Sequence, residues 1–544
     1  MNGFKNSAVY QIYVKSFCDS NGDGIGDLNG IRSKLSYIKS LGVDYIWLTP
    51  FFPSPMVDNG YDVSDYTAVN PMFGTMADCE AMIAEADELG MGFMFDMVFN
   101  HTSSEHEWFK KALSGDPKYM DYYIFRDSVD GKAPTDWTAS FGGPAWDYVE
   151  SLDKWYLHLF DPKQPDLNWE NPEVREELKN VIRFWKDKGV KGFRFDVLNL
   201  ISKPASFDLP AGPAHRFCKD GWHVHEFIRE MVTDTGLEDM VTVGEMASTT
   251  LDNCIRYSNP RNHELSMCFS FHHLKVDYRN GDKWALMPPD LVSLRSLFKA
   301  WQEEMEKGGG WNAVFWDNHD QPRVVSRFGD EGKYWKQSAK MLATFIHLLR
   351  GTPYIYQGEE LGMTNAHFAS IDQYRDVEAI NYFHILLDRG ETEEDALKVL
   401  GERARDNGRT PMQWTAGKNA GFSEAEPWIG LPDNYGRINV EAEESDPDSI
   451  LNYYRELTRL RKESSIIAEG GIRFLDSGNE KVFAYERLLA KDRMVVVCNF
   501  SAEEEKIADI LPEGRVVCGN YADPPLHSDK LRPYEAVAVE ALQS

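Results

Sequence analysis

Long apolar runs are missing from this chain. No stretch of 18 apolar residues occurs anywhere, so no segment reads as a membrane-spanning helix. The start, Met1-Asn2-Gly3-Phe4-Lys5-Asn6, offers nothing apolar enough for a signal peptide, and a cytoplasmic location is expected. Paired cysteines are missing too. The seven cysteines (18, 79, 218, 254, 268, 498 and 518) are odd in number and scattered, with no CxxC pair. That excludes a disulfide framework or a zinc site of the usual spacing. Positive charge is scarce: 58 Lys and Arg stand against 87 Asp and Glu, a net charge of −29. Such a balance argues against nucleic acid and against anionic membrane surfaces as partners. An anionic ligand would need a local basic cluster working against the overall field. No internal repeat and no low-complexity segment is present.

What is present is a large globular protein. Its 544 residues allow two or three domains around a sizeable core. Val9–Val14, Val43–Leu48 and Gly92–Val98 read as strands. Between them, Leu28, Ile31, Leu35, Ile38 and Leu41 mark one helix, and a second covers about 77–89 and stops at Gly90. Strand and helix alternate as in parallel βα units. Residues 101–170 break the pattern and read as an inserted subdomain. Asn171-Pro172 then opens a helix with buried Val174, Leu178, Val181 and Trp185, and Gly189 ends it. Further strands are expected at 192–197, 240–245, 266–271, 311–316 and 352–356. Eight strands alternating with helices fit a (β/α)8 TIM barrel made of residues 1–100 and 171–466. From 467 to 544 the spacing changes to short strands between turns, and an all-β sandwich domain is expected.

The informative stretch is Gly192-Phe-Arg194-Phe-Asp196-Val197. Period 2 puts Arg194 and Asp196 on one face of a buried strand. A guanidinium beside a carboxylate keeps it ionised. A structural ion pair inside a barrel explains that stretch as well. Other polar residues, however, gather at strand ends, where barrels of this type build their sites. They are Asp96, Asn100 and His101 after strand three, Glu245 ending strand five, and His319-Asp320 after strand seven. Three carboxylates from three strands suit retaining glycoside hydrolysis, with carboxyls about 5–5.5 Å apart. Asp196, kept ionised by Arg194, would attack the sugar. Glu245, with apolar Val243 and Met246 beside it in sequence, is expected to have a raised pKa and act as the acid. Asp320 would stabilise the oxocarbenium-like state.

Asp96-Met-Val-Phe-Asn100-His101, Gly192–Val197, Val243-Gly-Glu245-Met and Asn318-His319-Asp320 resemble the four signature segments of the α-amylase superfamily of glycoside hydrolases. They come in the family's order, and the likeness covers essentially the whole chain. The resemblance implies Asp196 as nucleophile, Glu245 as acid/base and Asp320 as transition-state stabiliser. It implies that Arg194, His101 and His319 hold the sugar at subsite −1. Asp58-Asn-Gly-Tyr61 resembles the pocket of the exo-acting α-glucosidase branch. There Asp58 and Arg409 would grip the terminal glucose while Tyr61 stacks beneath it. Val197 resembles the α-1,6-type glucosidases rather than the maltases.

Within that branch, Cys254-Ile-Arg256-Tyr257 and Phe269–Tyr278 look like trehalose-6-phosphate hydrolases more than oligo-1,6-glucosidases. The same region holds the densest basic cluster near a strand end: Arg256, His272, His273, Lys275, Arg279 and Lys283. Lys275 and Lys283 are the candidates for a sugar phosphate. A solvated basic surface is the plainer explanation for any one of them. Two places depart from the phosphorylated-substrate pattern: Pro165 in Gln164-Pro-Asp166-Leu-Asn168, and Gly221-Trp222-His223, a loop expected to border the leaving-group site.

Asp19-Ser-Asn21-Gly-Asp23-Gly-Ile25-Gly-Asp27 spaces oxygen ligands as an EF-hand does until position 12, where Gly30 stands in place of Glu. A metal-free Asx-turn loop has the same spacing. The loop resembles the single calcium loop of the exo-glucosidase branch, which implies one structural Ca2+ on Asp19, Asn21, Asp23, Asp27 and the carbonyl of Ile25; no organic cofactor is expected. The expected activity is hydrolysis of trehalose 6-phosphate or, failing that, of isomaltose-type α-1,6 ends. An isomerase or transglucosylase would use the same residues. A non-catalytic barrel scaffold is the alternative from another class, and all three carboxylates speak against it. The partner expected is a small sugar or sugar phosphate, on a monomer or weak oligomer.

Overall fold

The fold was obtained as a computed structural model, which describes residues 3–246, 248–526 and 528–542. Eight parallel strands close a barrel: β1 (Val9–Ile12), β2 (Tyr45–Leu48), β3 (Gly92–Met97), β4 (Gly192–Phe195), β5 (Val241–Glu245), β6 (Met267–Phe269), β7 (Asn312–Val314) and β8 (Thr352–Tyr356). Each strand pairs with its sequence neighbours, and β8 closes on β1. The register sets Asp96 of β3 directly beside Arg194 of β4. Alternation sends Arg194, Trp47, Phe269 and Tyr354 into the barrel, where Trp47 meets Phe269 at 5.6 Å and Tyr354 at 6.1 Å. It sends Phe95 outward against Trp185, 5.1 Å away. Trp185 belongs to α2 (Pro172–Asp187), which follows α1 (Met76–Glu88) in the outer ring. Asn171 caps α2 by accepting from the Glu173 N–H, with Pro172 in the first turn.

The expected helix over 28–41 is two short ones, Leu28–Ser33 and Leu35–Ser40, parted at Lys34, whose φ of −111° leaves the helical range. β4 is also shorter than expected. It ends at Phe195, because Val197 takes a left-handed φ of 34°. A β-branched residue there stores strain of order 1–3 kcal/mol. That sharp turn leaves Asp196 just past the strand end.

The insertion after β3 carries a three-stranded antiparallel sheet from 125–126, 146–149 and 154–157. It also recruits chain from beyond β4, since 137–138 pair with 212–213. A second excursion, not anticipated from the sequence, follows β8. Its helices α3 (Val377–Asp388) and α4 (Glu393–Arg403) bury Phe383, Leu386 and Leu400 against Phe368, Tyr374 and Ile429 in a core of their own. The chain ends in a five-stranded antiparallel sheet, with a two-stranded ribbon (505–506 with 530–531). This sheet packs on the barrel through aromatic contacts, Phe345 meeting Phe483 at 5.7 Å and Phe500 at 5.3 Å. Among the described residues no helix is long and apolar enough to cross a membrane.

Candidate active site

Arg194 organises the end of the barrel. Its side chain is buried, and its Nη1 donates to Asp96 Oδ1 and to Asp196 Oδ1, each at 2.7 Å. Its Nη2 donates to Glu245 Oε2. One guanidinium therefore bridges Asp196 and Glu245, a close approach compatible with the about 5–5.5 Å of a retaining pair. Asp96 anchors the cation from below, accepting also from Trp47 Nε1 at 3.1 Å and the Tyr61 hydroxyl at 2.9 Å. Asp196 keeps Oδ2 without a protein partner among the described residues. That oxygen is left to act on a ligand.

Asp196, Glu245 and Asp320 all line one cavity of about 240 Å³, together with Asp58, Tyr61 and His101. Asp320 Oδ1 accepts from Arg409 Nη2 at 2.9 Å and from Arg405 Nη1 at 3.3 Å. Burial raises the Asp320 pKa, but the surrounding cations outweigh it and hold the carboxyl well below the usual range. His319 adds little to that field, because burial pushes its own pKa down to about 3 and it is neutral near pH 7. Its Nδ1 sits 2.8 Å from Gln11 Nε2, its Nε2 faces Asp320 Oδ2 at 3.4 Å, and its ring stacks on Tyr61 at 5.1 Å. Burial also lowers the pKa of His101, whose Nε2 contacts the Tyr61 carbonyl at 3.0 Å and Gln164 Nε2 at 3.2 Å.

Several expectations are corrected here. Glu245 does not sit in an apolar pocket. What meets its carboxylate is the Arg194 guanidinium. The arginine facing Asp58 is Arg405, not Arg409: Arg405 Nη2 reaches Asp58 Oδ1 at 3.2 Å and lines the cavity. Arg409 lies behind, holding Asp320, the His319 carbonyl and Asp376. Both arginines share Asp376, whose Oδ1 is 2.5 Å from Arg405 and 3.3 Å from Arg409. They reach this point because Gly408 lets their 3-10 turn press on the 318–321 loop, where a Cβ would meet the Gln321 carbonyl at 2.5 Å. Arg194 and His319 likewise stand one layer behind the cavity wall, where they position other groups and do not form the surface.

The basic cluster divides. Lys275 and Lys283 line the cavity, but Lys283 is paired with Glu378 at 2.6 Å. His273 is turned away to the Phe315 carbonyl at 3.0 Å, and His272 stacks on Trp301 at 4.4 Å. Arg256 and Arg279 do not line the cavity. Lys275 Nζ instead meets Ser248 Oγ at 2.8 Å, and Lys219 Nζ meets the Ser248 carbonyl at 3.1 Å. Among the described residues neither lysine has a carboxylate partner. Burial lowers the Lys275 pKa, and Lys219 lowers it further. The loop at Trp222-His223 does not border this cavity: His223 pairs with Glu170 at 2.9 Å beside a separate groove.

The Asp19–Asp27 loop is closed by its own Asx turns. Asp19 accepts from the Asn21, Gly22 and Gly24 N–H groups, and Asn21 and Asp23 each accept two residues on. Asp27 is committed to Ser20 and to capping the next helix at Gly30 N. Among the described residues no set of three or more His, Cys, Asp or Glu side chains is gathered as for a metal.

Comparison with known proteins agrees with this geometry. A model of the alpha amylase catalytic domain matches residues 11–470. The trehalose-6-phosphate hydrolase of Bacillus subtilis is 48% identical over 98% of this chain and 97% of its own. An oligo-1,6-glucosidase of Bacillus cereus is 46% identical, covering 98% of both chains. The crystal structure of the trehalose-6-phosphate hydrolase of Bacillus licheniformis superposes with a TM-score of 0.94 at 49% identity, over 99% of both chains.

Proposed function

The chain belongs to the α-amylase family of glycoside hydrolases, and from that premise we propose that it is a retaining exo-α-glucosidase splitting trehalose 6-phosphate into glucose and glucose 6-phosphate. Asp58 and Arg405, both nearly inaccessible, grip the terminal glucose at the buried end of the cavity, and Tyr61 supports its ring. Asp196 Oδ2 attacks the anomeric carbon as the bond to the leaving oxygen breaks. Glu245 gives that oxygen its proton, so the sugar phosphate departs neutral at the cleaved hydroxyl. The glucosyl group is then an ester of Asp196. Glu245, now ionised, takes a proton from water, whose oxygen attacks the same carbon, and Asp196 leaves as carboxylate. Glu245 must bind the proton before the first step. We infer that a sugar entering between it and Arg194 loosens their contact and frees the carboxyl to hold that proton. Asp320, fixed by Arg405 and Arg409, opposes the positive charge of the transition state.

One observation carries the substrate. Lys275 on the cavity wall and Lys219, which does not line it, both bond Ser248, and neither has an acid paired to it among the described residues, in a chain of net charge −29. A phosphate on the leaving glucose satisfies both. The test is kcat/KM on trehalose 6-phosphate and on isomaltose, side by side. Lys275→Ala should lower the first by roughly 10–100-fold, the value of one charge-assisted hydrogen bond, and spare the second. Equal losses would remove the phosphate role. The runner-up, an oligo-1,6-glucosidase, draws support from the Lys283–Glu378 pair, which leaves its side of the cavity neutral. Faster wild-type turnover of isomaltose would favour it.

We also propose one structural Ca2+ at the Asp19–Asp27 loop. Its donors are all oxygen, as a hard cation requires, though the Asx turns already give the loop order without it.

A further inference from the structure

A groove of about 650 Å³ lies apart from the catalytic cavity and shares no lining residue with it. The insertion supplies Asp121, Arg126 and Asn168; the chain after β4 supplies Phe207, Trp222 and His223. Trp222 is 94% exposed, and the other 14 of the 15 tryptophans are buried or half-buried. A bare indole is costly in water, and this one lines the groove. Unoccupied acceptors lie in the same groove. Asp121 uses Oδ2 on Asn171 at 2.9 Å and Asn168 uses its amide N–H on the Asp121 carbonyl at 2.9 Å, while Oδ1 of each has no protein partner among the described residues. Glu170 and His223 form an exposed pair beside them. The charge of the groove disfavours an anion. Among the described residues that line it, Asp121 and Glu170 face one cation without a carboxylate partner, Arg126, because Lys203 is held by Asp166 at 2.7 Å.

We propose that this groove is a second sugar site, taking a neutral pyranose ring against the Trp222 indole while its hydroxyls donate to Asp121 and Asn168. A rigid aromatic plate beside fixed acceptors is how an apolar ring face with polar edges is matched. The groove's concavity and its unused acceptors favour a sugar over a flat protein partner.

The test uses the full-length Asp196→Asn chain and acrylamide quenching of tryptophan fluorescence, which weights the exposed indole. Saturating maltose should lower the Stern–Volmer constant at least twofold. In Asp196→Asn/Trp222→Ala, maltose should leave the already smaller constant unchanged. An unchanged constant in the first protein, or an equal fall in both, overturns the proposal. So does shielding that rises with protein concentration alone, which would mean a second copy covers Trp222. Trp222→Ala in the wild-type background should leave kcat/KM on p-nitrophenyl α-glucoside within twofold, and a larger loss would place Trp222 in the catalytic path instead. The quenching needs no turnover, so its failure and that of the assigned hydrolysis are told apart.

Discussion

Replacing Asp58 by Asn should flatten the pH dependence of stability between about pH 4 and 7. Asp58 is buried, and burial lifts its pKa from 3.8 to about 7, with Arg405 and Arg409 opposing and Asp376 and Asp62 assisting. A rise of that size corresponds to about 4 kcal/mol, since each pH unit is worth about 1.36 kcal/mol. The sign follows from proton counting. Between the two pKa values the folded chain holds a proton that the unfolded chain has lost, so stability falls as pH rises through this window. The contribution is fully present below the unfolded pKa and gone above the folded one. An amide at this position cannot titrate, so the variant lacks this slope, while Asp96 and Asp406 contribute equally to both proteins. Urea unfolding at pH 5 and at pH 7 measures it. The wild type should lose about 2 kcal/mol more than Asp58→Asn across that interval, because the carboxyl is still half protonated at pH 7. Parallel slopes would refute the reasoning, because Asp58 would then be ionised throughout, held by Arg405 against its burial. The same variant should lose at least about a hundredfold in kcat/KM at pH 7, from two charge-assisted hydrogen bonds to sugar of about 1.5–3 kcal/mol each.

Three further outcomes follow from the geometry. Arg405→Met leaves Asp58, Asp320, Asp376 and Glu378 with only Arg409 and Lys283, and should cost about 3–5 kcal/mol in stability, read as a lower urea midpoint together with loss of turnover. Adding Ca2+ to chelator-treated protein should raise stability by about 2.7 kcal/mol at a hundredfold excess over Kd, and Asp23→Asn should abolish the gain; no change in the parent would mean the Asx turns alone hold the loop. Arg487→Met strips a donor from the Leu348 and Gly470 carbonyls at the junction with the C-terminal sheet, which should cost about 1–3 kcal/mol per orphaned group in thermal unfolding without changing KM.

The barrel and its three carboxylates were legible because their signals are local. Period 2 on β4 sorts Arg194 from Phe193, and strand ends mark where Asp196, Glu245 and Asp320 emerge. What the sequence hid depends on distant partners. Arg405 and Arg409 are four residues apart and chemically identical. Only the 3-10 turn packed through Gly408 decides which one faces Asp58. Lys283 looked free until Glu378, 95 residues on, closed on it. Lys219 lay outside the basic cluster in sequence and joins Lys275 only through Ser248. Glu245 was judged by its chain neighbours, whereas its carboxylate meets Arg194 of the adjacent strand. The helices at 377–403 escape a reading of strand spacing, because their apolar stripe packs on a small core of its own.

The covalent step on Asp196 is the claim on which the rest depends. Incubating the enzyme with an activated 5-fluoro-α-glucosyl fluoride, which forms the ester faster than water removes it, and mapping the digested protein by mass spectrometry tests it directly. The account predicts one glucosyl group, on the peptide containing Phe195–Lys203 and lost in Asp196→Asn. A glucosyl group on any other peptide, or hydrolysis with inversion and no adduct, would contradict it.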